Sequence, residues 1–455
     1  MSSAIAVLTL VGAMISAGPA AADSIRDKEY WLGEYGITKA WDASKGAGVK
    51  VAVIDSGIDG KHPDLKGAVV GGTDVSGAGD SKGEKPIGAK PEHGTLVTTM
   101  LAGRGHSTPT PSASASASPS ATPSKPAVGN GLDGIIGVAP EAEILSVSTW
   151  LGSPNPGGPT DQEQIPAAVR WAVDHGAKVI NISLGSTSPE WPQSWDAAFL
   201  YAEQKDVVVV AAAGNRQGGN VQVGAPATIP GVLTVAGLDR KRIASIDSSS
   251  QGISIGVAAP AEDLAGGMPG GQYAQWAGTS GAAPIVSGVA ALIRSKYPDM
   301  SAKQVINRII STAKDAGTPG KDPIYGYGIL DAEAAVKATV PEVKTNRLGS
   351  IAEWIRVHRR GVLDTPSAQP SSVQAAPTPT LKDPKAPVAA APSEIDATLP
   401  AAVVIGFAAL ILAILIGAGV HLWRAARRPI QGGANPGDGT DTSSIDVVKD
   451  SPKDS

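Results

Sequence analysis

A serine between small residues, in Gly278-Thr279-Ser280-Gly281, precedes an apolar run that is typical of a helix. The spacing predicts that the Ser280 hydroxyl lies at the first turn of that helix, where unpaired backbone N–H groups and the helix dipole favour negative charge. A developing alkoxide or oxyanion would be stabilised there. Taken alone, the motif is equally typical of a turn before a core helix, so the rest of the chain must decide its chemistry.

Two other polar side chains are predicted at the ends of secondary-structure elements. Asp55 follows the strand Val49–Ile54, which is apolar on both faces as a central parallel strand should be, and His93 opens an apolar helical run. Serine needs an adjacent imidazole to take its proton, and the imidazole needs a carboxylate to hold its tautomer. We therefore predict nucleophilic catalysis in which Asp55 orients His93 and His93 is the general base for Ser280.

A fourth group could stabilise an oxyanion. Asn215 comes shortly after the apolar strand Val207–Ala211, and its side-chain amide could donate beside the backbone N–H of Ser280. The remaining histidines are weaker candidates. His62 lies in a turn and is predicted to be structural, and His175 precedes a glycine where it would cap a helix C-terminus.

No metal or cofactor is predicted. Asp59 and Asp64 are candidate calcium ligands, but their spacing does not match an EF-hand loop. The chain has no cysteine, which excludes disulfides, thiolate catalysis and cysteine-based metal sites. The net charge of −4 gives no indication of a nucleic-acid partner.

Strands and helices alternate from residue 23 to residue 340, which predicts an α/β domain with a mostly parallel sheet and helices on both faces. Further strands are predicted at residues 143–147, 179–183 and 232–236. The run Thr160-Asp161-Gln162-Glu163 fits a capping box at the start of a helix, although Pro166 would move that start to a later residue.

Seven motifs resemble those of the subtilisin family (subtilases), and they occur in the family's order from about residue 23 to residue 338. They include the triad order Asp, His, Ser that subtilisin has. The motifs are Val53–Ile58, His62–Leu65, His93–Thr95, Gly137–Pro140, Asn181–Gly185, Ala212–Asn215 and Gly278–Pro284. The resemblance implies a subtilisin-like fold and a serine endopeptidase with Asp55, His93 and Ser280 as triad and Asn215 in the oxyanion hole.

The resemblance also implies which residues bind substrate. The segment 183–185 would pair with an extended substrate backbone as an added strand. Together with the segment 212–214, it would also line the pocket for the side chain before the cut. These substrate-binding residues are Ser183, Leu184, Gly185, Ala212, Ala213 and Gly214.

The two ends of the chain predict its location. Residues 1–22 read as a secretory signal peptide with an apolar stretch and an alanine-rich cleavage site. Residues 399–423 are apolar, almost free of charge and long enough to span a bilayer as a helix. Arg424, Arg427 and Arg428 follow, so the positive-inside rule places the tail, residues 424–455, in the cytoplasm and the catalytic domain outside the cell membrane.

Two polar segments interrupt or follow the domain. Residues 105–130 form a low-complexity insert that we expect to be exposed, and that could shield the cleft or be trimmed by self-cleavage. Residues 341–398 hold a basic stretch, which we predict to form a final surface helix rather than to lie on the membrane, and then a Pro/Ala-rich stalk.

The wider layout resembles the mycosins, membrane-anchored subtilases associated with type VII secretion. The chain departs from them in its lack of cysteine and its short lead before Trp41, a lead that also leaves no room for a subtilisin propeptide. We therefore expect a membrane-tethered endopeptidase that acts on exported proteins or peptides, and a type VII membrane complex is a candidate partner. Two alternatives stay open: a structural component of a secretion complex whose proteolysis is dispensable, and a leader peptidase for a secreted peptide.

Overall fold

The computed structural model describes residues 25–107, 131–150 and 152–359, together with residue 416. The contacts divide the chain into two units, residues 1–367 and 368–455, and all elements named below belong to the first. The predicted signal peptide, most of the insert, the stalk, the membrane span apart from residue 416, and the tail lie outside the described residues. Within the described part of the chain, no helix is long and apolar enough to cross a membrane.

Seven strands form the central sheet, and every neighbouring pair in it is parallel, as predicted. Their order across the sheet is β2-β5-β1-β6-β7-β8-β9. The strands are β1 (Lys50–Asp55), β2 (Val69–Asp74), β5 (Glu143–Ser148), β6 (Val179–Ile182), β7 (Val208–Ala212), β8 (Leu233–Leu238) and β9 (Ile255–Pro260). Every residue of β6 and β7 is buried, because helices cover the sheet.

Two pairs of helices pack against the sheet and against each other. One pair is α3 (His93–Ala102) with α6 (Thr279–Lys296), and the other is α4 (Asp161–Asp174) with α5 (Gln193–Gln204). Further helices in the described part of the chain are α1 (Tyr30–Glu34), α2 (Ile37–Ala40), α7 (Ala302–Thr312), α8 (Ala332–Lys337) and α9 (Ile351–His358). This packing brings the starts of α3 and α6 to the carboxyl edge of the sheet, where open α/β folds place their ligand-binding sites.

The capping box predicted for α4 is confirmed, but the later start is wrong. The helix begins at Asp161 and keeps Pro166 inside, while Thr160 and Glu163 cap it reciprocally. Pro166 has no N–H for the Gln162 carbonyl, and the Trp195 indole Nε1 donates to that carbonyl at 3.2 Å instead. A tertiary contact therefore makes the proline compatible with the helix.

Several elements differ from the predictions. The lead before Trp41 contains α1 and α2, and the Gly-rich segment before His93 contains β2. The region before Ser280 contains a hairpin of β10 (Leu264–Met268) and β11 (Gln272–Trp276). Glycines at the centres of β2 and β10 hide the alternation that marks a strand, which is why the sequence pattern missed them.

The insert and the basic stretch are both anchored to the domain. The first insert residues belong to β3 (Arg104–His106), which pairs antiparallel with β4 (Asp133–Ile136), so the insert leaves from a hairpin stem. The predicted surface helix is confirmed as α9, which packs on α5. Its end is tied to α5 by Arg359, whose Nε donates to Asp196 at 2.8 Å. The fold thus continues beyond the predicted boundary at residue 340.

Candidate active site

Asp55 and His93 form a direct pair at the carboxyl edge of the sheet. Asp55 ends β1 and is 1% exposed, and its Oδ1 accepts from His93 Nδ1 at 2.8 Å and from the Ser56 N–H at 2.7 Å. Burial lowers the pKa of His93, but the charge and hydrogen bond of Asp55 raise it further, so this pKa lies above the ordinary histidine value. Because a carboxylate can only accept, Nδ1 must carry the proton of this bond, which leaves Nε2 of the neutral ring free to accept, as a general base requires.

Short contacts fix the start of α3 against the end of β1. The hydroxyl of Ser56 accepts from the Gly94 N–H at 3.0 Å, which satisfies one of the free donors at the helix start. A Cβ on Gly94 would lie 2.2 Å from the carbonyl oxygen of Gly57, so only glycine permits this approach. The two contacts hold His93 beside Asp55.

Ser280 is the second residue of α6, as the sequence predicts, and it lines the same cleft as Asp55 and His93. Its Oγ donates to the backbone carbonyl of Ser183 at 2.9 Å. A hydroxyl has one proton, so in this state Ser280 does not donate to His93. The expected pairing of the two side chains therefore requires a rotation of the Ser280 hydroxyl.

Asn215 is held in the orientation that an oxyanion donor requires. Its Oδ1 accepts from the Thr279 backbone N–H at 2.8 Å and from the Thr279 hydroxyl at 3.0 Å, so its Nδ2 is left to donate elsewhere. Gly278 has a φ of 139°, and a Cβ there would lie 2.9 Å from that Nδ2. Asn215 lines the cleft beside Ser280, so its amide can reach a substrate oxygen bound there.

The cleft has a volume of about 650 Å³. Of the predicted substrate-binding residues, Ser183, Leu184 and Gly185 line it, whereas Ala212 and Ala213 are 4% and 1% exposed and belong to the core. Gly214 donates its backbone N–H to Thr279. The assignment of residues 212–214 to the pocket stays a prediction, and Asn215 is the member of that motif that reaches the cleft.

Sequence reasoning missed other residues around the cleft. The Trp276 ring lies edge-on to the His93 ring with the centroids 5.8 Å apart, and Ile165, Trp195 and Asp161 also line the cleft. The missed hairpin β10–β11 carries Trp276, so no local signal was available for it. Ile165 is a buried residue of α4, and nothing in the local sequence indicated that it meets the cleft.

Three other histidines in the described part of the chain have structural partners. His62 is fully buried, with Nε2 3.2 Å from the carbonyl oxygen of Gln272, and His175 Nδ1 donates to a carbonyl at the end of α4, as predicted. Sequence reasoning missed that His106 Nδ1 pairs with the buried Asp64 at 2.6 Å. No group of three His, Asp or Glu side chains suited to a metal ion occurs among the residues that the structure describes.

A buried carboxylate paired with an imidazole, facing a serine at a helix start and an amide donor, is the arrangement of a serine hydrolase. Comparison with known proteins narrows this class, since the model of the subtilase family, Peptidase S8, matches residues 46–328. The chain belongs to the subtilase family, the serine endopeptidases with an Asp-His-Ser triad.

The proteins similar to this chain include subtilisin-related enzymes and mycosins. Mycosin-4 of Mycobacterium tuberculosis is 33% identical over 68% of this chain and 69% of that protein. Fervidolysin of Fervidobacterium pennivorans is 34% identical over 69% of this chain, which spans only 44% of fervidolysin. The crystal structure of MycP1 from the ESX-1 type VII secretion system matches with a TM-score of 0.54 and 28% identity, over 70% of this chain and 89% of that one.

Proposed function

We propose that this protein is a membrane-tethered serine endopeptidase that hydrolyses exported proteins outside the cell membrane through an acyl-enzyme on Ser280. The observation that carries the proposal is the 2.8 Å pair of His93 and Asp55 in one cleft with Ser280 and Asn215. The mycosin relatives support a link to type VII secretion. The apolar segments at residues 1–22 and 399–423 support the location.

The first chemical step follows from the geometry of the cleft. An extended substrate donates a backbone N–H to the Ser183 carbonyl, which releases the Ser280 hydroxyl to turn towards His93. His93 Nε2 takes the hydroxyl proton as Oγ bonds to the substrate carbonyl carbon, and Asp55 stabilises the imidazolium. The carbonyl electron pair moves to oxygen, where Asn215 Nδ2 and the Ser280 N–H donate to the oxyanion.

Collapse of this intermediate breaks the C–N bond. The leaving amine takes the proton from His93, and the substrate acyl group stays on Ser280 Oγ. Water then enters, gives a proton to His93 and attacks the ester, and the returning proton restores the Ser280 hydroxyl as the acid leaves. Every proton is carried by His93, so the reaction needs no further acid or base.

A fluorophosphonate probe tests the assignment of the nucleophile. Wild-type protein should be labelled once, and Ser280→Ala should not be labelled. Ser295→Ala is a matched control because this serine lies on the same helix, half-buried, with its hydroxyl donating to the Ala47 carbonyl. Equal labelling of the wild type and Ser280→Ala would overturn the proposal.

Complementation separates proteolysis from scaffolding. In a deletion strain, full-length Ser280→Ala should leave exported substrates uncleaved, and mass spectrometry of the secreted proteins identifies them. Restored secretion together with complete cleavage in this variant would contradict the proposed activity. Protease added to intact cells should digest the catalytic domain, and protection of that domain would contradict the proposed location.

A further inference from the structure

The carbonyl of Ser280 lacks the N–H donor that an α-helix normally gives it from four residues later. In an α-helix each carbonyl accepts from the N–H four residues later, and four residues after Ser280 the chain has Pro284, which carries no N–H. Ser183 supplies the missing donor, since its Oγ donates to the Ser280 carbonyl at 2.9 Å. The hydrogen bond thus replaces a helical one at the residue that carries the nucleophile.

Two more buried side chains extend this hydrogen bond into a chain of donors. Asn181 Nδ2 lies 2.9 Å from Ser183 Oγ, and Ser287 Oγ lies 2.9 Å from Asn181 Oδ1. Asn181 and Ser287 are fully buried, and Ser183 is 3% exposed. The chain begins and ends on α6, because Ser287 and Ser280 belong to the same helix, and it crosses the end of β6 between them.

The direction of every bond in the chain is determined. The Ser280 carbonyl can only accept, so Ser183 must spend its single hydroxyl proton on it. Asn181 must then present its NH₂ to Ser183 and its oxygen to Ser287, which has to donate. Successive bonds that point the same way polarise one another in a buried site, so all three act on the one carbonyl.

Ser183 holds Ser280 from both sides. Its Oγ donates to the Ser280 carbonyl at 2.9 Å, while its own carbonyl accepts from Ser280 Oγ at 2.9 Å. Only the second bond must break when the hydroxyl turns to His93. The first can persist throughout the reaction and keep the Ser280 backbone, including its oxyanion-binding N–H, in place.

We propose that Ser183 Oγ, Asn181 and Ser287 form a positioning network that fixes the main chain of the nucleophile where Pro284 has removed the helical hydrogen bond. This inference rests on the proposed role of Ser280. The Ser183 hydroxyl donates to the Ser280 carbonyl and not to substrate, so loss of the network should lower kcat without changing KM or the pH at which activity is lost. It acts through Ser280, and its members are positioning residues.

Substitutions in the full-length protein measure the effect. Ser183→Ala should lower kcat about ten-fold, the equivalent of one well-placed hydrogen bond, with KM changed less than about two-fold. Ser287→Ala, at the far end of the chain, should lower kcat about three-fold. Ser146→Ala is the matched control, a fully buried serine whose hydroxyl donates to the Gly83 carbonyl away from the cleft, and it should leave kcat unchanged.

A double-mutant cycle with Pro284→Ala gives the decisive readout, because alanine restores a backbone N–H that can donate to the Ser280 carbonyl. In that background Ser183→Ala should cost less than about two-fold in kcat, compared with about ten-fold in the wild type. A merely structural serine would cost the same in both backgrounds. Thermal unfolding confirms that each variant is folded at the assay temperature, and Ser287→Ala provides the same cycle if Ser183→Ala does not fold.

Three results would overturn the proposal: equal losses in the two backgrounds, a change confined to KM, or an equal loss in Ser146→Ala. The outcome is separable from that of the proposed function. If Ser280→Ala lacks activity while Ser183→Ala and Ser287→Ala match the wild type, Ser280 is the nucleophile and the network is not a positioning device. If the wild type itself is not labelled by the fluorophosphonate, the proposed function fails first.

Discussion

Two helices that border the cleft have the same interruption. In both α4 and α6 the sixth residue is a proline, Pro166 or Pro284, so the carbonyl of the second residue lacks its helical donor. Each carbonyl is served by a side chain from another element. Trp195 Nε1 donates to Gln162 at 3.2 Å, and Ser183 Oγ donates to Ser280 at 2.9 Å.

The two replacement hydrogen bonds differ in whether further side chains support the donor. Gln162 is an exposed residue at the start of α4, and the donor to its carbonyl is a single indole. At Ser280 the donor is backed by the buried pair of Asn181 and Ser287. A freed carbonyl on the surface needs little support, since water competes for it, whereas beside the nucleophile a directed buried network holds it in one position.

The largest expected effect separates the second residues of the two helices. Ser280→Ala should lower kcat by about a million-fold, as loss of the nucleophile does in subtilisin. Gln162→Ala should keep kcat within about two-fold, because only its backbone carbonyl is used and alanine retains it. Steady-state cleavage of a peptide substrate measures both. Comparable losses in the two variants would mean that α4 takes part in the chemistry and would break the comparison.

The second largest difference is expected between substitutions of two carboxylates that line the cleft, Asp55 and Asp161. Asp55→Asn should lower kcat/KM about 10⁴-fold, because the imidazole loses the partner that holds its tautomer. Neutral His93 is the active base, and Asp55 raises its pKa above about 6.5, so wild-type activity should fall as the pH drops through a value above 6.5. In Asp55→Asn both upward contributions of Asp55 are lost and burial becomes the dominant influence on the His93 pKa, so the acid limb should move to lower pH.

Asp161 is the control for this pH dependence. It lies exposed at the start of α4 and lines the same cleft as Asp55 and His93. Asp161→Asn should change KM by less than about three-fold, as screened surface charges do, and should leave the acid limb where it is in the wild type. A pH–rate profile of kcat/KM measures both variants. An unmoved acid limb in Asp55→Asn would contradict His93 as the titrating base.

The same comparison explains what the sequence could and could not predict. Elements with strong local patterns were predicted correctly, such as the buried strands β6 and β7 and the capping box of Thr160 and Glu163. The triad order and the position of Ser280 at a helix start followed from motifs of a few residues. Local chemistry is sufficient for features of this kind, because all the interacting groups lie within a few positions.

Contacts between distant residues were beyond the sequence. Ser183 and Ser280 are 97 residues apart, and nothing in either motif indicates that they hold each other. Pro284 did carry a signal that was overlooked, since a proline four residues after Ser280 leaves a carbonyl free. Pro166 shows the converse, because the local rule predicted a later helix start and the donor from Trp195 overrode it.

A smaller effect is expected from the donor on the α4 side. Trp195→Phe keeps the aromatic ring and removes the Nε1 donor, which leaves the Gln162 carbonyl to water. The free energy of unfolding should fall by about 1 kcal/mol, with kcat unchanged and KM raised less than about three-fold because the ring also lines the cleft. Denaturant unfolding and steady-state kinetics measure these. A ten-fold loss in kcat would show that the hydrogen bond of Trp195, like that of Ser183, positions the nucleophile.

The smallest effect should follow from restoring the missing N–H of α4. Pro166→Ala gives the Gln162 carbonyl a helical donor and replaces proline by a better helix former. The free energy of unfolding should rise by about 1 kcal/mol, after subtraction of the entropy that the unfolded chain gains. The melting temperature should rise by about 2 °C, with kcat and KM unchanged.

Pro284→Ala should instead lower kcat several-fold, because the new helical bond turns the Ser280 carbonyl away from Ser183. If Pro166→Ala lowers kcat as much as Pro284→Ala does, the two prolines are equivalent and the network behind Ser183 has no special role. If only Pro284→Ala does so, proline at this position of α6 serves to transfer control of the nucleophile from the helix to β6.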